Sequence, residues 1–368
     1  MTSLDFAGLR RFPDVEAGNL FAVDATDRLI LDEAASAVSA APAGVVVALG
    51  DHYGALTIGA AQLGARGIRV FQDSLIGEQA LASNAPDLGY RNLPLGGELL
   101  RGATVVLLQL PRSLAELDEL AGQIATQAAP SVTVYAGGRI KHISVAMNEV
   151  LLRHFGRLDV SHARQKSRVL VAREPRRAPA GYPAREFSDE LGLWVCAHGA
   201  AFAGTKLDIG TRLLLSVLEN AVPDAETVID LGCGTGILAA ALARSRPDAA
   251  VIATDLSWAA VESARATVEA NGLSGRVTVV RDVGLGSQPD SSADLVVLNP
   301  PFHVGATVHT GLADALFAEA ARVLRPGGEL WTVYNSHLGY RSALQRAVGD
   351  TREVARNAKF TVTASRRR

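Results

Sequence analysis

Short apolar runs recur along the chain, each followed by a longer stretch with the spacing of a buried helix. In the C-terminal half the runs are "TVIDLG" (227–232), "AVIATD" (250–255), "VTVVRD" (277–282), "ADLVVLN" (293–299) and "ELWTVYN" (329–335). Their length and their Val and Ile content predict five strands. Between them lie an Ala-rich helix in "CGTGILAAALARS" and a helix "WAAVESARATVEANG" closed by Asn271-Gly272. A third helix, "GLADALFAEAARVLRPGG", is stopped by Pro326-Gly327-Gly328, and a fourth lies near 340–348. The tail "REVARNAKFTVTASRRR" reads as a final strand pair. Strands alternating with helices predict a parallel, doubly wound sheet.

The N-terminal half carries a worn copy of this pattern. "GVVVALGDHYGALTIGAAQLG" (44–64) is again strand, Gly turn and helix, and "IRVFQD" (68–73) again a strand ending in Asp. Gly50 and Gly232 are 182 residues apart, as are Asp73 and Asp255. "ATVVLLQLPRS" (103–113) matches "ADLVVLNPPFH", with Gln109 and Pro111 opposite Asn299 and Pro301 at an offset of 190. Equal offsets at strand ends point to internal duplication. The copy lacks the close-set glycines of "GCGTG", and "QLPR" has neither the Asn nor the Phe. The fold class expected is therefore α/β, with two tandem doubly wound Rossmann-like domains, the N-terminal one degenerate. "VAREPRRAPAGYPAREF" (171–187), with three prolines and many charges, reads as a linker or exposed connection. The boundary is placed near 177, giving domains 1–177 and 178–368.

Length and composition agree. The 368 residues suit two domains, and 48% hydrophobic against 20% charged residues describes a globular chain. No apolar run approaches the roughly 18 residues of a membrane span. The start "MTSLDFAGLR" is interrupted by Asp5 and does not read as a secretory leader, so a cytoplasmic protein is expected. Cys196 and Cys233 offer neither a disulfide framework nor a metal-ligand cluster. Net charge is −2, so the total announces no nucleic acid. Of the 36 basic residues 32 are Arg, which a GC-rich genome or phosphate recognition by Arg forks would each explain. Distribution is more telling. Arg139–Arg177 holds ten basic and three acidic residues, net +7, and the chain ends in Arg366, Arg367 and Arg368.

The chemistry concentrates after 205. "DLGCGTG" sets Asp230, Gly232, Gly234 and Gly236 at a strand-to-helix turn, where glycines let backbone approach a ligand and the helix offers free N–H groups. The spacing is tighter than the dinucleotide fingerprint. Asp255 lies 19 residues beyond Gly236 at the next strand end, placed to accept ribose hydroxyls; Asp282 closes the strand after it, placed to meet an adenine edge. Either acid would otherwise cap the following helix. Together they predict an adenosine-type ligand across the strand ends, and S-adenosylmethionine suits the turn because no pyrophosphate needs cradling. Leu256 joins this cofactor set. In "NPPFH" (299–303) the Asn299 side-chain carbonyl and the Pro300 backbone carbonyl are two acceptors held by stiff prolines. An exocyclic amine donating to both would aim its lone pair across the crevice, with Phe302 stacked on its ring. His303 either touches the substrate or caps the following loop. Upstream, Asp208 and Gly210 in "TKLDIGTRLLLSVL" mark the start of a helix packing by the cofactor.

In order, "LDIGTRLLL", "DLGCGTGILA", "NPPFHVG" and "LRPGGEL" resemble the ribosomal RNA guanine-N2 methyltransferases of the RsmC/RlmG type. The resemblance spans nearly the whole chain, strongly over 205–340, and the ending "NAKFTVTASRRR" with "YNSHLGY" is closer to the large-subunit (RlmG) branch. It implies two class I methyltransferase-like domains, the first inactive and binding RNA. It also implies S-adenosylmethionine on Asp255 and Asp282, and guanine on Asn299, Pro300 and Phe302. The family's Phe-Ser-Arg is here Phe202-Ala203-Gly204, so Lys206 is the substitute cation for RNA.

The expected activity is methyl transfer to guanine N2 in ribosomal RNA, 23S rather than 16S, free or in a subunit, by a monomer with no metal and no membrane association. The rivals are another amine methyltransferase (N6-adenine or protein glutamine), a silent RNA-binding module, and a small-molecule methyltransferase.

Overall fold

The computed structural model describes residues 4–178, 181–300 and 310–368. The chain divides into two compact units, Met1–Tyr182 and Pro183–Arg368. The strands of the first are β1 (Val46–Leu49), β2 (Ile68–Phe71), β3 (Tyr90–Asn92), β4 (Val105–Gln109), β5 (Thr133–Arg139), β6 (Phe155–Val160) and β7 (Ser167–Pro175). They form one sheet in the order β3-β2-β1-β4-β5-β7-β6. The first five are parallel, and β7 and β6 return antiparallel. The helices are α1 (Ala25–Ala40), α2 (Ala55–Gln62), α3 (Leu75–Asn84), α4 (Gly97–Leu100), α5 (Leu114–Gln127) and α6 (Val145–His154).

The second unit begins with a hairpin, β8 (Ala184–Ser188) and β9 (Leu193–Ala197). Its main sheet is built from β10 (Thr227–Leu231), β11 (Ala250–Asp255), β12 (Val277–Arg281), β13 (Ala293–Leu298), β14 (Leu324–Asn335), β15 (Gly349–Arg356) and β16 (Phe360–Arg367). The order is β12-β11-β10-β13-β14-β16-β15, the same permutation as in the first unit. Helices α7 (Ile209–Leu215), α8 (Ile237–Ser245), α9 (Trp258–Ala270), α10 (Thr310–Val323) and α11 (Arg341–Ala347) complete it. Both sheet faces are covered. Val228, Leu295, Val297 and Trp331 pack with α8 and α9, while Ile229, Leu231, Val296 and Leu298 pack with Phe317 and Leu344 of α10 and α11. A sheet buried on both faces explains why its strands read as unbroken apolar runs.

Duplication shows in geometry as well as order. Gly54 and Gly236, again 182 apart, are each the residue before the first helix of their unit's turn, with φ of +101° and +76°. A Cβ on Gly54 would lie 2.7 Å from Leu81 of α3, and one on Gly236 2.9 Å from Ala264 of α9. In both units the first crossover helix touches the second through a glycine with no room for a methyl.

Two readings need correction. The stretch 171–187 is not simply a linker: Val171–Pro175 finish β7 and Ala184–Phe187 belong to β8. Val171 and Ala172 are core residues there, and that burial outweighs the prolines and charges nearby. Pro326-Gly327-Gly328 does not end α10, which stops at Val323; the three residues lie inside the irregular start of β14, where its register with β13 shifts.

The hairpin is clamped to the sheet unit by one face of α9. Ser263, Thr267 and Asn271, spaced four apart, meet the free edge of β9. Ser263 Oγ accepts from His198 N (2.8 Å), Thr267 Oγ1 from Cys196 N (2.9 Å) and Asn271 Oδ1 from Trp194 N (3.0 Å). Three side chains thus replace a missing neighbour strand.

Candidate functional site

Strand order reverses about β10, whose neighbours β11 and β13 carry their following segments to opposite sides; the crevice at its C-terminal end is the ligand position of such sheets. The turn after β10 is built around its glycines. Gly232, Gly234 and Gly236 have φ of +72°, +52° and +76°, a region costly for other residues. Gly232 N and Cys233 N both donate to the Thr254 carbonyl (2.8 and 2.9 Å), pinning the turn to β11. A Cβ on Gly232 or Gly234 would meet nothing within 4 Å, whereas Gly236 is packed hard on Ala264. The first two glycines therefore border open space and the third serves helix packing.

Asp230, wholly buried on β10, steadies the helix: its Oδ2 accepts from Ala239 N (3.0 Å). Its Oδ1 is buried without a hydrogen-bond partner. Burial pushes its carboxyl up to about 7 against the pull of the Ala239 N–H, and the charge of Asp255 adds to the rise. Burial also pushes the Cys233 thiol well up, so it stays a neutral small residue of the turn.

Asp255 ends β11 with Oδ2 accepting from Gly234 N (3.1 Å) and Oδ1 from Ser257 N (2.9 Å). It ties the Gly turn to the loop beginning at Leu256. The Asp255 carbonyl accepts from Asp282 N (2.9 Å), which brings the two acids to adjoining strand ends. Asp282 Oδ2 accepts from Ser287 N (2.8 Å) and Ser287 Oγ (2.7 Å), closing the loop after β12. The Leu256 carbonyl accepts from Arg281 Nε (3.4 Å).

Asn299 follows β13 directly. Its Nδ2 donates to Asp208 Oδ2 (2.9 Å) and to Thr211 Oγ1 (3.0 Å), leaving Oδ1 buried with no partner among the described residues. Asp208 is the N-cap of α7 and accepts from Gly210 N (3.1 Å) and Thr211 N (2.8 Å). The amide is therefore held from one end. Pro300 is buried beside it. Pro301, Phe302 and His303 lie outside the described residues. Lys206 is exposed on the loop before Asp208, near the exposed Phe202. Sequence reasoning missed Thr211. Its signal was there: in "LDIGT", a residue three after a capping Asp lies on the first turn, level with the cap.

The first unit shows the worn counterpart. Gln109 Nε2 donates to Asp27 Oδ1, an amide-to-acid clasp like that of Asn299 and Asp208. Gln109 also stands against Gly50, where a Cβ would be in contact with the Gln109 Cβ at 3.6 Å. Asp51 accepts from Leu56 N (2.6 Å) and Thr57 N (2.9 Å); Thr57 is the counterpart of Ala239 at the 182 offset, whose N–H the buried Asp230 accepts in the second unit.

The two halves also match different known families. Residues 192–364 match the Methyltransferase small domain, and residues 1–176 match the RLMG N-terminal domain. The chain is 36% identical to the ribosomal RNA large subunit methyltransferase G of Streptomyces avermitilis, over 96% of this chain and 95% of that protein. It is 37% identical to the protein of the same name from Pseudomonas paraeruginosa, over 96% of each. Among solved structures it is similar to the 16S rRNA N2 methyltransferase RsmC of T. thermophilus in complex with AdoMet and guanosine. That likeness has a TM-score of 0.75 and 23% identity, covering 94% of this chain and 92% of the other, and it extends the fold resemblance across both units.

Proposed function

Since the chain belongs to the family of the ribosomal RNA large subunit methyltransferases G, we propose that it transfers a methyl group from S-adenosylmethionine to the exocyclic N2 of a guanine in the large-subunit RNA. The observation that carries the chemistry is the buried, unpartnered Oδ1 of Asn299 at the strand end beside the Gly turn.

The residues present fit the cofactor. Gly232 and Gly234 border open space, Asp255 and Asp282 stand at adjoining strand ends, and the N-terminus of α8 follows. With Asp230, Gly236 and Leu256 shaping the turn, these groups would hold it. When bound, the cofactor supplies an electrophilic methyl on a sulfonium. Asn299 Oδ1 and the Pro300 carbonyl accept the two hydrogens of the guanine amine and so direct its lone pair. Phe302 stacks on the base, and His303 and Lys206 flank it. The bound cofactor would supply the methyl to the amine nitrogen that these acceptors orient, the sulfur keeping the electron pair and the nitrogen's proton passing to water. Positioning and aligned acceptors provide the catalysis, and no strong base is required. A guanine must be unpaired or extruded to reach this corner.

Residues 1–177 grip the RNA and 178–368 perform the transfer. A basic surface at the strand ends of the first unit supports that division. The imidazole of His142 is held below its ordinary range by lost solvent and by the cations of Arg112, Lys141 and Arg139. Ile140 N donates to the Lys166 carbonyl (2.9 Å), bringing Lys166 alongside. Among the described residues Arg112, Lys141 and Lys166 are exposed and form no ion pair. The enzyme works as a cytoplasmic monomer, each chain holding both the grip and the site. No helix among the described residues is long and apolar enough to cross a membrane.

The test is transfer of labelled methyl to ribosomal RNA, free or in subunits, from a strain lacking the enzyme, with the product nucleoside identified by mass spectrometry. N2-methylguanosine is expected, and Asn299→Ala should abolish it while cofactor affinity persists. N6-methyladenosine, or no transfer to any RNA substrate, would overturn the reading.

A further inference from the structure

An asparagine side chain is a two-faced group: one end only accepts, the other only donates. In the corner after β13 only one orientation serves an incoming amine, the one with Oδ1 toward the crevice. The reversed amide would point two N–H groups at a group that itself donates. Something must therefore choose between two orientations of nearly identical shape.

We infer that Asp208, seconded by Thr211, is the positioning residue that fixes this choice and with it the selection of a base bearing an exocyclic amine; this rests on the amine-transfer reading above. A carboxylate has no hydrogen to give, so the Asn299 atom 2.9 Å from Asp208 Oδ2 must be the donating Nδ2. Thr211 Oγ1 at 3.0 Å takes the second Nδ2 hydrogen. Both hydrogens of the amide are then spent on the α7 side, and Oδ1, buried and unpartnered, is the only end left to act. Asp208 cannot swing away, because it also receives Gly210 N and Thr211 N as the cap of α7. One carboxylate thus starts a helix and sets the polarity of the substrate acceptor.

The clasp predicts a signature that a merely structural residue would lack. Asp208→Gly remains a tolerated N-cap but removes the oxygen that takes both Thr211 N and Asn299 Nδ2, so the amide is no longer held in one orientation. Guanosine and inosine differ by the exocyclic amine alone, and their affinities in the presence of S-adenosylhomocysteine read the acceptor directly. The wild type should bind guanosine about tenfold or more tightly than inosine, the range of one or two hydrogen bonds. In Asp208→Gly that ratio should fall several-fold while S-adenosylhomocysteine affinity and the melting temperature stay close to wild type. Thr211→Ala, which leaves the cap carboxylate in place, should lower the ratio partway, and Thr211→Ser should restore it. A guanosine preference kept in both Asp208→Gly and Thr211→Ala overturns the positioning role. A wild type with no preference overturns the amine-transfer reading, and the inference with it.

Discussion

The glycines of "GCGTG" look alike in sequence but should respond differently to the same methyl group. Gly234→Ala and Gly236→Ala each force a side chain into the left-handed region, at about 1–2 kcal/mol. At Gly234 the new Cβ points into open space, so that strain is the whole folding cost. At Gly236 it lies 2.9 Å from both Cα and Cβ of Ala264, and since backbone cannot rotate aside, α8 and α9 must part. Overpacking of that kind adds about 1–3 kcal/mol. For a unit of the size of Pro183–Arg368, each kcal/mol is worth roughly 2–4 °C in melting temperature. Gly236→Ala should therefore melt roughly 4–20 °C below wild type and Gly234→Ala roughly 2–8 °C below. Ligand affinity should invert the ranking. If the cofactor lies over Gly232 and Gly234, the Gly234→Ala methyl occupies its space and should weaken S-adenosylhomocysteine at least about tenfold, or ~1.4 kcal/mol. Gly236→Ala, once folded, should bind within about threefold of wild type, ~0.7 kcal/mol. Differential scanning fluorimetry and titration calorimetry on the same samples provide both columns. Unchanged affinity in Gly234→Ala would show that the open space over the turn is not the cofactor's. Equal stability in the two variants would refute the packing role of the third glycine.

Three further outcomes follow from the geometry. The buried Asp230 carboxyl titrates at about 7 in the fold, raised from 3.8 by burial. Its contribution is fully present below the unfolded value and is lost as pH rises through about 7, so Asp230→Asn should flatten the fall in stability between about pH 4 and 7 relative to wild type; parallel urea midpoints across that window would contradict the assignment. Thr267→Val keeps the shape of a wholly buried side chain but strips Cys196 N–H and C=O of their partner, which should cost about 1–3 kcal/mol in urea unfolding. Replacing Lys141 and Lys166 with Ala should raise KM for RNA with kcat retained, and should lower the slope of log affinity against log salt by about 0.7–0.9 per lost phosphate contact; an unchanged slope would remove this surface from the RNA path.

Several elements were legible in the sequence because a single local rule decides them. β11 is found at 250–255 as predicted, because an apolar β-branched run bounded by charge has no other solution in a covered parallel sheet. The duplicated order was visible in the equal spacing of Gly50 and Gly232, Asp73 and Asp255. Where two local rules conflict the sequence misleads. Prolines and charges suggested a linker through 171–175, but Val171 and Ala172 had core positions to fill. Pro326-Gly327-Gly328 suggested a helix stop, and α10 had already ended three residues earlier.

By itself the sequence determined the strands of the parallel sheet, the Gly turn and the acids at the strand ends, because each depends on neighbours within a few positions. Tertiary structure alone decided which glycine borders open space and which faces a helix, since that turns on Ala264, 28 positions beyond Gly236. It alone revealed that in the first unit Gln109 stands against Gly50, whereas nothing stands within 4 Å of a Cβ on Gly232. It also decided the direction of the Asn299 amide, because an amide has no preferred end until a distant group imposes one. That group is Asp208, 91 residues away in sequence and 2.9 Å away in space.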